Sequence, residues 1–259
     1  MSYDSLLRAE MPDDTFLVGY ADDVAAVITL RTPELAQLRL NQVMRRVNRW
    51  MDDHGLQLAI TKTEIVMLTR RRIPTVIPMT VGTEVVQTKR SAKYLGVVLD
   101  CKLTFWEQIR QACDKAAAVT ANLSRLMSNV GGPSQSRRRL LLTTAQSILL
   151  YGAEIWADAT MVRKYRTRML AVQRRGALRI ASSYRTVSEP AALVVARVVP
   201  IDLLAQEWKA LRGLRMEMTR AEADELARAR TFAAWQRRWD DDTRGRWTAT
   251  LVGNLRPWI

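Results

Sequence analysis

TFLVGYADDVAAVITL, residues 15–30, decides how the N-terminal part of the chain folds. Two apolar runs flank a short polar turn, the pattern of a buried β-hairpin with Ala21, Asp22 and Asp23 at its tip. Strands buried on both sides hold the two carboxylates close together, and that is costly unless a cation neutralises them. Hard oxygen donors select Mg²⁺ or Mn²⁺, and a pair of such ions stabilises both the attacking and the leaving oxygen in phosphoryl transfer. An Asp-Asp dipeptide on its own is most often an ordinary turn. The apolar flanks single this one out.

Working outward, Thr32 as N-cap and Pro33 at the first helical position open a helix that runs to about Asp53. Its stripe is Leu40, Val43, Met44, Val47, Trp50 and Met51, and Gly55 ends it. His54 beside that glycine reads as a capping or surface residue, with no Ser or Cys partner to suggest catalysis. LQLAI and EIVML flank Thr61-Lys62-Thr63 and read as short strands with a lysine in the connection. MTVGTEVVQ and KYLGVVLD read as further strands, the former turning at Gly82.

From Thr104 the period becomes helical, with Ile109, Cys113, Ala116, Leu123 and Leu126 on one stripe up to Gly131-Gly132-Pro133. Helices are then expected from Ser134 to about Tyr151, and over 160–181, 202–218 and 220–239, the last two rich enough in Glu, Ala and Arg to stand exposed. Val187, Val195 and Pro200 interrupt the pattern between 186 and 200. The fold class is α+β, with one seam near residue 100 and a second near 186–200.

The 259 residues are 48% hydrophobic and 25% charged, which suits a globular fold and excludes fibrous or wholly disordered classes. Cys101 and Cys113 are too few for a disulfide framework and match no zinc spacing. No run of 18 apolar residues occurs, so the expectation is an intracellular chain without a membrane partner. The net charge of +14 favours polyanions. It is unevenly spread: residues 1–60 hold 6 Arg against 9 acids, and the remainder holds 34 basic against 17 acidic residues. Arg outnumbers Lys 33 to 7, which suits phosphate because the guanidinium fork is planar and bidentate. Within the basic stretches, Arg137, Arg138, Arg139, Arg174, Arg175 and Arg179 are candidate contacts for a nucleic-acid backbone. Trp235 and Trp239, set beside Arg237 and Arg238, suit either base stacking or, more commonly, core anchoring.

FLVGYADDVAAVI, with an aromatic, any residue and then Asp-Asp between apolar strands, resembles the catalytic hairpin of reverse transcriptases. GLQLAITKTE at 55–64 and KYLGVVLD at 93–100 resemble, in the right order, the family's lysine-bearing segment and its primer grip. SRLMSNVGGPSQSRRRLLLTTAQSILLYGAEIWADA at 124–159, ALRIASSYRTVSEPAALVVARVVPIDLLAQE at 177–207 and the WQRRWD and GRWT segments resemble the thumb and C-terminal region of insect, jockey-like non-LTR retrotransposon polymerases.

The resemblance implies that Asp22 is the principal metal ligand and Asp23 its neighbour, with Mg²⁺ or Mn²⁺ as cofactor. It implies that Tyr20 packs beneath the primer terminus, that Lys62 protonates the leaving pyrophosphate, and that Tyr94, Leu95 and Gly96 hold the primer backbone. Ala59 stands where the family commonly has Asn. The implied architecture is a partial palm over 1–100, carrying the YADD hairpin and the primer-grip hairpin, an all-α basic thumb over 101–185, and a helical C-terminal extension over 186–259. RNA template and DNA primer are the implied partners, together with a separate N-terminal polymerase portion, since MSYDSLLRAEMPDD resembles the stretch that follows the family's glycine motif. The third metal-binding Asp and the fingers would lie in that portion. Nuclear access follows from the resemblance alone. The expected function is a truncated RNA-directed DNA polymerase, the alternative being a non-catalytic remnant that binds nucleic acid.

Overall fold

The computed structural model describes residues 4–21, 23–128 and 132–259, a mixture of helices and small β-hairpins. It divides into two compact units. One holds the chain to Ala92 together with Asp100–Leu103; the other holds Lys93–Leu99 and Thr104–Ile259.

In the first unit a short helix α1 (Asp4–Leu7) precedes the antiparallel hairpin of β1 (Thr15–Tyr20) and β2 (Asp23–Ile28). Thr15 pairs with Ile28 and Tyr20 with Asp23. Helix α2 (Pro33–Asp53) follows. The Thr32 side chain accepts a hydrogen bond from the Leu35 N–H at 3.4 Å, and Pro33 sits where a missing N–H costs nothing. Leu40, Val43 and Val47 form its buried stripe. Val43 and Val47 cluster with Leu6, and Leu40 with Met79 and Val81. At the C-terminus His54 is the cap: its ring stacks on Trp50 at 4.1 Å between centroids, with Nδ1 2.8 Å from the Trp50 carbonyl. Gly55, at φ +67°, then turns the chain away.

Strands β3 (Pro78–Val81) and β4 (Glu84–Gln87) pair around Gly82, and β5 (Ser91–Tyr94) pairs with β6 (Val97–Asp100) around Leu95-Gly96. Residues 56–67 differ from expectation. LQLAI and EIVML are not strands; a 3₁₀ turn covers Ile60–Lys62, and Val66 makes a single bridge to Lys89. A β-propensity run becomes a strand only with a ladder partner for its N–H and C=O groups. Here each hairpin is filled by its own two strands. The β1–β2 hairpin is also less buried than its sequence implies: Phe16 is 63% exposed, and Val18, Val24 and Val27 lie open beside it.

The second unit is helical. Its elements are α3 (Trp106–Ser124), α4 (Gln135–Leu150), α5 (Ala153–Trp156), α6 (Arg163–Ile180), α7 (Glu189–Ala196), α8 (Ile201–Leu214), α9 (Arg220–Asp241) and α10 (Arg246–Leu251). Helix α3 stops short of the expected glycines, which leaves Leu126 exposed while Ile109, Cys113 and Ala116 enter the core. One core runs through Val97, Ile109, Leu149, Trp156, Met169, Leu193, Ile201 and Trp239. Residues 101–185 and 186–259, expected as two domains, therefore share one core. The supposed seam at 186–200 contains α7, whose Pro190, Ala191, Ala192, Leu193, Val194 and Ala196 are all buried. Pro190 falls in the first helical turn, where it does not break the helix.

Helices α8 and α9 are packed rather than exposed. Ile201, Leu204 and Ala205 face inward from one, and Ala223, Ala227, Trp235 and Trp239 from the other. Arg238 donates to both Asp202 oxygens, at 2.9 and 2.6 Å, clasping the pair. The Trp239 indole N–H donates to the Val252 carbonyl at 2.8 Å, so this tryptophan anchors the core and has no face free for a base. Among the described residues no single helix is long and apolar enough to cross a membrane.

Burial within α3 pushes the Cys113 thiol from 9.0 up to about 11, with Asp114 adding to the shift and Arg168 opposing it. Raised pKa favours the neutral thiol in the fold, so its contribution to stability is complete below the ordinary thiol pKa and is lost as pH rises towards about 11. Iodoacetamide treatment of the native protein near pH 8 should label the half-buried Cys101 and spare Cys113. Mass mapping that found the two equally labelled before unfolding would contradict this core placement.

Candidate functional site

The hairpin register places Tyr20 opposite Asp23 at the turn end of β1–β2. Asp22 lies outside the described residues. Ala21 adopts φ +48°, a left-handed conformation that costs an alanine about 1 kcal/mol and that tight hairpin turns normally give to Gly, Asn or Asp. Leu95, Leu103, Phe105, Ser182 and Arg197 share this conformation. Tyr20 is 66% exposed and Asp23 is exposed beside it, so an aromatic face and a carboxylate are presented together. Among the described residues no group of three His, Cys, Asp or Glu is gathered that could hold a metal ion. Asp23 by itself does not fit a metal.

Lys62 ends the 3₁₀ turn, its own N–H donating to the Ala59 carbonyl at 2.9 Å while the side chain is exposed. Tyr94, Leu95 and Gly96 form the turn of β5–β6. Leu95 (φ +45°) and Gly96 (φ +83°) are both left-handed, the geometry of a two-residue hairpin turn matched to strand twist. Tyr94 is half-buried, and its hydroxyl is enclosed without a hydrogen-bond partner among the described residues.

Tyr151, at the C-cap of α4, lies against this turn. Its hydroxyl donates to the Leu95 carbonyl at 2.9 Å, and a Cβ on Gly96 would stand 2.7 Å from its ring. The next residue, Gly152, lies so close to Val97 that a Cβ there would meet the Val97 side chain at 2.6 Å. Sequence reasoning missed Tyr151. The Tyr-Gly pair closing the helix was the available signal, but nothing in the pattern ties it to a turn more than fifty residues earlier.

The six candidate backbone arginines separate by burial. Arg138 is 4% exposed: it donates to the carbonyls of Pro133 (2.7 Å), Arg179 (3.0 Å) and Ser128 (2.7 Å) and to the Ser182 hydroxyl (2.7 Å). It is a clamp inside the fold and is corrected from the surface role, because four of the guanidinium's five donors are spent within the protein and burial closes the group off from a phosphate in solvent. Arg139 donates to the Ala196 carbonyl at 3.0 Å, and Arg174 to the carbonyls of Arg185 and Val187 at 2.5 and 2.6 Å. These two are half-buried and tie the helices to the α7 region. Arg137 and Arg175 are exposed and Arg179 is half-exposed, so these three keep donors within reach of solvent.

No protein-family model matches the chain, and no solved structure matches it. Curated proteins do. The chain is 26% identical over 255 residues to a retrovirus-related Pol polyprotein from the type-1 retrotransposable element R1 of Nasonia vitripennis, covering 89% of this chain and 74% of the relative. It is 28% identical over 250 residues to a putative 115 kDa protein in the R1DM element of Drosophila melanogaster, covering 88% of this chain and 24% of that protein. A probable RNA-directed DNA polymerase from the Drosophila transposon BS is 24% identical over 161 residues, 61% of this chain and 18% of the relative. The chain thus spans about a quarter or less of the length of both fly proteins.

These relatives define the class: the chain is homologous to the Pol polyproteins and RNA-directed DNA polymerases of non-LTR retrotransposons. The relatives matched over about nine-tenths of it are R1 elements of insects, so the homology is to the R1 type.

Truncating Arg138 to Ala removes a buried side chain and its four hydrogen bonds and should lower stability by about 3 kcal/mol. Arg137→Ala should leave the melting curve unchanged. Equal effects in thermal unfolding would refute the division of this arginine run into an internal clamp and a surface residue.

Proposed function

We propose that the chain is the primer- and template-holding portion of an RNA-directed DNA polymerase from a non-LTR retrotransposon. The observation that carries this reading is the strained, exposed turn of β1–β2, with Tyr20 opposite Asp23, inside a stretch homologous to retrotransposon RNA-directed DNA polymerases. In this reading the first unit is palm-like and the second thumb-like. Asp22 and Asp23 are the carboxylates that would take part in holding Mg²⁺ or Mn²⁺, which would supply charge neutralisation for phosphoryl transfer.

The remaining roles follow from exposure and charge. The open Tyr20 ring offers a stacking surface to a terminal base or sugar. The exposed Lys62 ammonium meets developing negative charge on phosphate. The Tyr94-Leu95-Gly96 turn, fixed from behind by Tyr151, presents backbone to a primer strand, and the absence of a side chain on Gly96 is what admits the Tyr151 ring. Arg137, Arg175 and Arg179 add sequence-independent attraction to phosphates. The same reading places the chain inside the cell, with access to nuclear DNA.

One observation favours a second reading, that the chain holds nucleic acid without extending it: Arg137 and Arg175 of the helical unit keep their guanidinia exposed to solvent. Primer extension on an RNA template with Mg²⁺, run beside Asp22→Ala, separates the two. Incorporation above the Asp22→Ala background establishes polymerase activity in this chain. No incorporation, with binding to an RNA–DNA hybrid that weakens steeply between low and physiological salt, establishes holding alone. If neither incorporation nor salt-sensitive binding is found, both readings fall.

A further inference from the structure

The first sixty residues carry more acid than base, yet the structure gathers four of their six arginines in one place. Arg39, Arg45, Arg46 and Arg49 lie along α2 and, with Met11, Pro12 and Asp13 opposite, line an open cavity of about 620 Å³. Asp13 is the single carboxylate in that lining. Arg39 is steadied by the Gln42 side chain at 3.1 Å and by Asp14 at 3.6 Å, and Arg46 donates to the Glu10 carbonyl. Arg45 and Arg49 are exposed, with no hydrogen-bond or ion-pair partner among the described residues. Guanidinia crowded this way repel one another, and the arrangement is relieved by an anion.

We propose that this face of α2 seats the phosphodiester backbone of a nucleic-acid strand, at a site separate from the hairpin tip. The separation follows from β1, whose six residues carry the chain about 20 Å from the cavity end near Asp13 to Tyr20. Ten residues of α2 separate Arg39 from Arg49, about 15 Å of helix, enough to face about four successive phosphates of one strand. Arginine rather than lysine suits the task, because each fork can grip a phosphate through two parallel N–H donors. Among the described residues no aromatic side chain lines the cavity to stack a base, so the seat reads backbone and not sequence. A strand is favoured over a compact polyphosphate because the arginines are strung along the helix and not converged on one point.

This site deepens the polymerase reading by adding a contact on the first unit, whereas that reading places its arginine contacts on the second. The test measures binding of oligouridylate RNA by the full chain, by fluorescence anisotropy across a salt series, for wild type, Arg45→Gln/Arg49→Gln, Arg45→Lys/Arg49→Lys and Arg137→Gln/Arg175→Gln. Melting curves check that each variant folds. The glutamine pair on α2 should weaken binding and flatten the slope of log affinity against log salt by about 1.4, two single-strand phosphate contacts, and the lysine pair should restore the slope.

An unchanged slope in Arg45→Gln/Arg49→Gln, beside a reduced one in Arg137→Gln/Arg175→Gln, overturns the α2 seat and leaves the polymerase reading standing. The reverse pattern supports the seat and removes the arginine contacts assigned to the second unit. Binding of inorganic tripolyphosphate that is lost in Arg45→Gln/Arg49→Gln, with no RNA binding by wild type, overturns a strand as the occupant.

Discussion

Every strand among the described residues has one hydrogen-bonded neighbour, and each hairpin must find its burial against something other than a wider sheet. A two-stranded ribbon is marginal in water, because one row of cross-strand bonds does not offset the chain entropy lost in forming it. In the first unit α2 supplies the missing surface. Leu40 packs with Met79 and Val81 of β3, while Val43 and Val47 close over Leu6, and Leu17 and Ile28 of the first hairpin join these clusters. One helix therefore holds two hairpins, and its opposite side is released to carry charge. The exposed outer face of β1–β2 is the other consequence: with one side given to α2, Phe16, Val18 and Tyr20 have nothing above them.

Local chemistry made much of this legible. Thr32 and Pro33 marked where α2 begins, Gly82 marked the β3–β4 turn, and Ser134 and Tyr151 bracketed α4, because caps and turns depend on neighbours in sequence. Distant partners were not legible. LQLAI and EIVML have the composition of strands but no ladder to join. The valines and prolines of 186–200 looked like an interruption, but α7 is a short helix buried on nearly every side, and such a helix shows no amphipathic period to detect. At the candidate site, the sequence marked the hairpin that carries Tyr20 and Asp23, but it read KYLGVVLD as strand and did not mark the Leu95-Gly96 turn inside it. It could not show that Tyr151 props that turn.

Arginine carries the largest difference between composition and structure. A net charge of +14 points outward when read as a number, yet Arg138, Arg139, Arg174 and Arg238 spend their donors on carbonyls and carboxylates inside the helical unit. A guanidinium has five donors in a plane and can close several helix ends at once, which a lysine cannot do. Conversely, the segment whose net charge is acidic presents the densest cationic face of the first unit. Partner preference is thus set by which guanidinia reach solvent, and net charge is a poor guide to that.

The contact between Gly96 and Tyr151 ties two positions far apart in the chain into one substitutional unit. A side chain at 96 meets the Tyr151 ring, and a smaller residue at 151 removes both the ring and the hydroxyl that holds the Leu95 carbonyl. Changes at the two sites are therefore non-additive. Sequences that keep this turn can abandon the glycine only in favour of a residue at ease in a left-handed conformation, and only when the tyrosine yields at the same time. The pair should drift together or not at all.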